Sequence, residues 1–210
     1  MNPENNSHIQ AIIFDFGNVL LRWDPRLVYE RYFPDDPEAM ERFLQEVNFM
    51  EWNMLQDKGR SFAEGVASLS KEFPQHSQLI QAYQDHWIDS LGESLSGTVE
   101  ILKELKQAGY PVYGLSNWSA ETFPRAREKH DFFDLLDDFV ISGEVGHVKP
   151  APEIFQITLD RIGRPAQECL FIDDALANIQ QAQNMGFAVI HFQSPEQLRD
   201  ELHKLRILST

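Results

Sequence analysis

Ile12-Ile13-Phe14-Asp15-Phe16-Gly17-Asn18-Val19-Leu20 joins an apolar run to a carboxylate and then to a tight turn. A buried strand that releases an acid at its end is how an open α/β sheet presents chemistry to a ligand. Outward from this stretch the chain has two textures. From about Arg22 to Ser90, apolar residues return at helical spacing: Leu27, Val28 and Tyr32; Met40, Phe43, Leu44 and Val47; Phe62, Val66 and Leu69; Leu79, Ile80, Tyr83 and Trp87. Breaks fall at Phe33-Pro34-Asp35-Asp36-Pro37, at Lys58-Gly59-Arg60-Ser61 and at Phe73-Pro74. No run of β-branched residues interrupts them, so this stretch reads as a helical insert of four or five short helices. After Gly97, strands expected at 111–115, 139–142, 169–172 and 187–192 alternate with helices at 98–107, 120–129, 152–162 and 175–184. Ser194-Pro195-Glu196-Gln197 opens a last helix, with Ser194 as N-cap. Such alternation builds right-handed βαβ units and a parallel sheet.

The 210 residues carry a net charge of -15, which excludes nucleic acid and anionic membrane as natural partners, since both need a basic face. An anionic substrate would need local positive charge from a metal or a few placed basic side chains. The single cysteine, Cys169, precedes Leu170-Phe171-Ile172 and is expected to pack in a strand. Met1–Gln10 is polar and does not read as a signal peptide, and no apolar run approaches membrane-spanning length. A cytoplasmic enzyme or binding protein is the expectation; the sequence leaves the oligomeric state open, and a monomer fits the size and charge.

Ligands bind at the carboxyl ends of parallel strands, and four strand ends here carry polar groups. The first offers Asp15, Gly17 and Asn18; the second Ser116 and Asn117; the third Ser142, Glu144 and then Lys149-Pro150; the fourth Asp173, Asp174 and Asn178. Each has a plainer reading. Asp15 could be a turn residue, Ser116-Asn117 an N-cap with its neighbour, Lys149 a solvated lysine. Two adjacent carboxylates behind an apolar run repel each other and lose solvation. An N-cap accounts for one of Asp173 and Asp174, a bound cation for both. Asp15 and Asp174 then point to a hard cation such as Mg²⁺, which keeps positions free for water and a phosphate oxygen. Lys149 adds positive charge beside a phosphoryl group, Ser116 and Asn117 add neutral donors, and an Asp can itself attack phosphorus.

In this order the residues resemble the haloacid dehalogenase-like hydrolase superfamily, over nearly the whole chain. Phe14-Asp15-Phe16-Gly17-Asn18-Val19-Leu20 resembles its first motif, Leu115-Ser116-Asn117 its second, Val148-Lys149-Pro150-Ala151-Pro152-Glu153-Ile154-Phe155 its third, and Phe171-Ile172-Asp173-Asp174 with Asn178 its acidic motif. The resemblance implies a Rossmann-like parallel-sheet core over residues 1–21 and 92–210. It implies a helical cap over 22–91, inserted after the first strand and hinged near Arg22–Asp24 and Leu91–Gly97. By the same resemblance Asp15 is the nucleophile, and Ser116, Asn117 and Asn18 bind the phosphoryl group. Lys149 steadies the charge, Asp174 ligates Mg²⁺ with Asp173 in support, and Gly17 offers its carbonyl to the metal. Gly17-Asn18 and the segment Trp52 through Arg60 are similar to a group that includes bacterial α-D-glucose-1-phosphate phosphatases.

Gly17 departs from the general pattern, in which a second Asp at that position protonates the leaving oxygen. Loss of a general acid costs on the order of 10²–10⁴ in rate. A good leaving group, such as an anomeric sugar oxygen, needs it less; otherwise another acid substitutes. Asp24 is the candidate, with an N-cap before Pro25 as its plainer reading. Three functions compete: a Mg²⁺-dependent phosphatase of a small phosphomonoester such as a sugar phosphate, a metal-free 2-haloacid dehalogenase using Asp15, and a weakly active phospho-ligand binder. Asp173-Asp174 and Gly17 both favour the phosphatase over the dehalogenase. Arg22, Trp23, Trp52, Gln56, Lys58 and Arg60 could face the pocket or belong to the cap's surface and core, and Trp118 could line the pocket or pack.

Overall fold

The computed structural model describes residues 9–209; of the polar segment Met1–Gln10, residues 1–8 lie outside the described residues. Strand β1 (Ala11–Phe14) is buried at every position, as the middle strand of a two-sided sheet must be. It is flanked by β4 (Val112–Ser116) and β6 (Cys169–Asp173), and β5 (Asp138–Ile141) and β7 (Ala188–His191) form the edges. All four pairings in the order β5-β4-β1-β6-β7 are parallel. The order changes direction at β1, so the loops leaving β1, β4 and β6 part at one crevice. Helices α6 (Ser96–Gln107), α7 (Phe123–Lys129), α8 (Ser142–Val145), α9 (Pro152–Ile162), α10 (Leu176–Asn184) and α11 (Pro195–Lys204) complete the core. Ser194 caps α11 by accepting from the Gln197 N–H at 3.2 Å, as its sequence announces.

Two apolar clusters cover the sheet. Ile13, Leu115, Val140, Phe155 and Phe171 fill one side. Phe14, Phe16, Leu102 and Phe133 lie on the other, in a cluster that continues into the insert. Phe16 explains a glycine in the neighbouring strand. A Cβ on Gly114 would stand 2.2 Å from the Phe16 ring, so only Gly fits there.

Between β1 and α6 the chain forms β2 (Leu21–Trp23), five helices and β3 (Leu91–Ser94). The helices are α1 (Arg26–Tyr29), α2 (Pro37–Glu46), α3 (Phe49–Asp57), α4 (Phe62–Glu72) and α5 (Ser77–His86). The gaps between α1 and α2, α3 and α4, and α4 and α5 fall at the breaks read from the sequence, whereas the turn at Val47-Asn48 between α2 and α3 does not. Asp36 accepts from Ala39 N–H ahead of α2, and Ser61 and Glu64 form a capping box on α4. Tyr29, Phe49, Trp52 and Tyr83 meet edge-on, stacked or tilted in the middle of this helical cap. Strands β2 and β3 pair antiparallel with each other, Leu21 opposite Ser94 and Trp23 opposite Leu91, rather than joining the main sheet. The chain thus enters and leaves the cap through one hydrogen-bonded ribbon. No described helix is long and apolar enough to cross a membrane.

Candidate active site

The Lys149 ammonium, 2 % exposed, sits where three strand ends converge. It donates to the Leu115 carbonyl at 2.9 Å and to Asp173 Oδ2 at 2.7 Å, and pairs with Asp15 Oδ1 at 2.9 Å. Three acceptors satisfy its three protons. Its two carboxylate neighbours outweigh the loss of solvation and raise its pKa, so it stays a cation. Asp15 also accepts from the Phe16 N–H at 2.6 Å. Burial pushes the Asp15 carboxyl up to about 7; the Lys149 charge opposes this, and Asp173 and Asp174 add to it.

Asp15, Asp173 and Asp174 each bring a carboxylate oxygen to within 4.8 Å of the others. Hard divalent cations take such oxygen sets. The three are not equivalent. Asp173 is fully buried, and both its oxygens already accept bonds: Oδ1 from Ala175 N–H and Asn178 Nδ2, Oδ2 from Lys149 and Asn178 Nδ2. Asp174 is the more accessible, and burial together with Asp173 raises its pKa. The residues therefore fit a Mg²⁺ ion held by Asp15 and Asp174, beside Gly17, with Asp173 bracing Lys149 and the turn.

These groups open onto a cavity of about 280 Å³. Asp15, Gly17, Asn18, Ser116, Asn117, Lys149, Asp174 and Asn178 line its floor. Among the described residues the Ser116 hydroxyl has no protein hydrogen-bond partner. The Asn117 amide, by contrast, is engaged: Nδ2 donates to the Lys149 carbonyl at 3.0 Å, and Oδ1 accepts from the Lys149 N–H at 2.7 Å. Its side chain clamps the lysine loop rather than standing free for a ligand. Asn18 holds a left-handed turn (φ 55°) and accepts from the Trp23 N–H at 3.2 Å, tying the floor to the cap ribbon.

The cavity's upper wall comes from the cap: Trp23, Met50, Asn53, Met54, Asp57 and Trp87, facing Trp118 of the core. Residues 50, 53, 54 and 57 share one face of α3 at helical spacing. Met50 and Met54 are 57 % and 43 % exposed. Asp57 was not anticipated as a site residue. It keeps some accessible surface, as a cavity-lining group must, but the packing around it strips its carboxyl of water and pushes its pKa up to about 7.

Other sequence candidates fall elsewhere. Asp24 does not line this cavity. It lies on a neighbouring groove with Arg22, Leu27, Leu95 and Pro195. There it accepts from the Arg26 N–H at 3.0 Å and pairs with its guanidinium, 45 % exposed. Trp52, Gln56 and Arg60 belong to the cap interior. Trp52 Nε1 donates to the Gly65 carbonyl at 2.9 Å, and Gln56 bonds both the Trp52 carbonyl and Arg60. Lys58 is exposed away from the cavity lining.

Comparison with known proteins accords with this geometry. A sequence model described as haloacid dehalogenase-like hydrolase matches residues 9–186. A sesquiterpene phosphatase of Aspergillus oryzae is 28 % identical over 182 residues, 87 % of this chain and 89 % of its own length. A D-ribitol-5-phosphate phosphatase of Bacteroides thetaiotaomicron is 25 % identical over 207 residues, 92 % of this chain and 97 % of its own. The fold is similar to that of a haloacid dehalogenase-family enzyme from Bacteroides thetaiotaomicron, solved as a complex with magnesium and inorganic phosphate. There the TM-score is 0.69 at 22 % identity, over 89 % of this chain and 95 % of that one.

Proposed function

The chain belongs to the haloacid dehalogenase-like hydrolase family, and on that footing we propose that it is a Mg²⁺-dependent phosphatase of a small phosphomonoester, with residues 22–91 as its cap. The observation that carries the reading is Lys149 bridging Asp15 and Asp173, with Asp174 completing the cluster. One oxygen of Asp15 attacks phosphorus and gives an aspartyl-phosphate, which water hydrolyses. Lys149 holds Asp15 in place and carries positive charge toward the phosphoryl oxygens. The Ser116 hydroxyl and nearby main-chain N–H groups donate to them. Bound Mg²⁺ would supply further positive charge to the phosphoryl group. Lys149 is the only basic side chain lining the cavity among the described residues, beside Asp15, Asp57 and Asp174. A phosphate dianion entering that field needs a cation with it.

For the body of the substrate, Leu21, Trp23, Met50, Met54, Trp87 and Trp118 make an apolar wall. Such a wall suits a hydrocarbon chain better than a polyol, in keeping with the terpenoid rather than the ribitol relative. The test is phosphate release from farnesyl monophosphate, ribitol 5-phosphate, glucose 1-phosphate and p-nitrophenyl phosphate, with Mg²⁺ and with EDTA. 2-Chloropropionate serves as the dehalogenase control. Mg²⁺-dependent phosphate release that Asp15→Asn abolishes is expected. EDTA-insensitive halide release without phosphate release would overturn the reading.

A further inference from the structure

Gly17 leaves the site without a donor for the departing oxygen, and Asp24 lies outside the cavity. One unassigned carboxyl lines it. Asp57 ends α3 on the stripe that faces the cavity, so the cap brings its carboxyl to the same cavity that Asp15 and Lys149 line from the core. The cap is fastened to the core at this point. The Asp57 carbonyl accepts from the Ser142 hydroxyl, and the Asp57 carboxylate accepts from Asn53 Nδ2 at 3.1 Å. Lys149 stands 2.9 Å from Asp15, whereas no cationic side chain among the described residues pairs with Asp57. We propose that Asp57 is the acid–base residue of phosphoryl transfer, supplied by the cap in place of the carboxylate that position 17 lacks. This rests on the phosphatase reading above.

Two features make the assignment physical. A Cβ built on Gly17 meets nothing within 4 Å, so the space a carboxylate there would occupy is open and a group from the cap can serve it. Burial holds the Asp57 carboxyl near the pH of the cell, where an acid that must both give and take a proton works best. The surrounding charges do not compete for it. Asp15, Lys149 and Asp174 face it across the cavity. Tyr83 on α5 feels its charge, and burial keeps that phenol protonated. Glu46 on α2, Glu64 on α4, Glu144 on α8 and the adjoining Lys58 are exposed to solvent.

The steps balance. An Asp15 oxygen forms a bond to phosphorus as the phosphorus–oxygen bond of the ester breaks. The departing oxygen keeps the electron pair and takes the Asp57 proton, leaving as an alcohol. Water then attacks the aspartyl-phosphate, its proton returns to Asp57, and inorganic phosphate departs with Asp15 restored.

The test compares p-nitrophenyl phosphate, whose leaving group needs no proton, with hexyl phosphate, whose leaving group does. The ratio kcat/KM covers binding and the steps through departure of the alcohol, and excludes hydrolysis of the aspartyl-phosphate. With Mg²⁺ present, Asp57→Asn should lower kcat/KM for hexyl phosphate about 10²-fold. It should change that for p-nitrophenyl phosphate by less than about threefold. In the wild type, kcat/KM for hexyl phosphate should fall above about pH 7, and that limb should vanish in the variant. Adding Gly17→Asp to Asp57→Asn should restore the hexyl ester selectively, an effect that damaged cap docking would not give. Equal loss on both esters, or no loss, would overturn the role of Asp57. A wild type inert toward both would overturn the phosphatase reading and this proposal with it.

Discussion

Lys149 shows how much one side chain can decide. It arrives from the loop before α9, loses nearly all contact with water, and binds acceptors from β4, β6 and the β1 turn. Removing it would leave Asp15 and Asp173 facing each other without a cation. Breaking a buried pair in this way costs about 3–5 kcal/mol. Lys149→Met should therefore lower the melting temperature by about 6–20 °C for a chain of this size and abolish turnover. A calorimetric scan beside a phosphate-release assay checks both, and an unshifted melting temperature would mean that the pair is not formed in solution. Asp15, Lys149 and Asp173-Asp174 were legible because strand ends in a parallel sheet converge, and any acid or base placed there is brought together. The bond patterns were not legible: nothing in Ser116-Asn117 tells that the asparagine amide closes on the Lys149 main chain. Asp24 misled because closeness along the chain to Asp15 is not closeness across the cap ribbon.

Helix α3 is the element that sequence periodicity misses and the site depends on. Its apolar residues fall on two faces. Phe49 and Trp52 pack into the cap, while Met50 and Met54 meet the cavity. A helix apolar on both sides shows no single stripe, so no 3.6-residue signal stands out. The other long cap helices have one dry face and were legible, as were the core strands and, apart from the four-residue α8, the core helices to within a few residues. Strands β2 and β3 span three and four residues, too short for an alternation to register. The cavity-facing methionines carry a prediction about specificity. Met54→Glu puts a charge on the apolar wall and should raise KM for farnesyl monophosphate at least about tenfold, the equivalent of about 1.4 kcal/mol. A short ester such as methyl phosphate, which does not reach the wall, should be little affected. Because Met54 is 43 % exposed, the melting temperature should stay nearly unchanged. Equal effects on both esters would show that Met54 does not contact the substrate body.

At the scale of the whole molecule, the site exists only when the sheet is assembled. Asp15, Ser116, Lys149 and Asp174 are spread over 160 residues of sequence, and the cap adds its wall from a segment inserted after β1. An ion and a phosphate that bind this arrangement have nothing comparable to bind in the unfolded chain. Their binding energy is therefore folding energy, RT ln(1 + [L]/Kd) for each ligand. Electrostatics fixes the order. Three carboxylates within 4.8 Å repel one another, so Mg²⁺ alone should stabilise. Phosphate alone meets mostly negative charge and should not. With the ion in place the cluster's sign is offset, and phosphate at about a hundred times its Kd should add about 2.7 kcal/mol, or roughly 5–10 °C in melting temperature. Scanning calorimetry with neither ligand, either one and both measures this without any turnover. Asp174→Asn should lose the Mg²⁺ shift and the phosphate shift together, since the second depends on the first. If phosphate raised the melting temperature equally with EDTA present, Lys149 and the main-chain donors would suffice for the anion, and the acidic cluster would need another explanation than a metal.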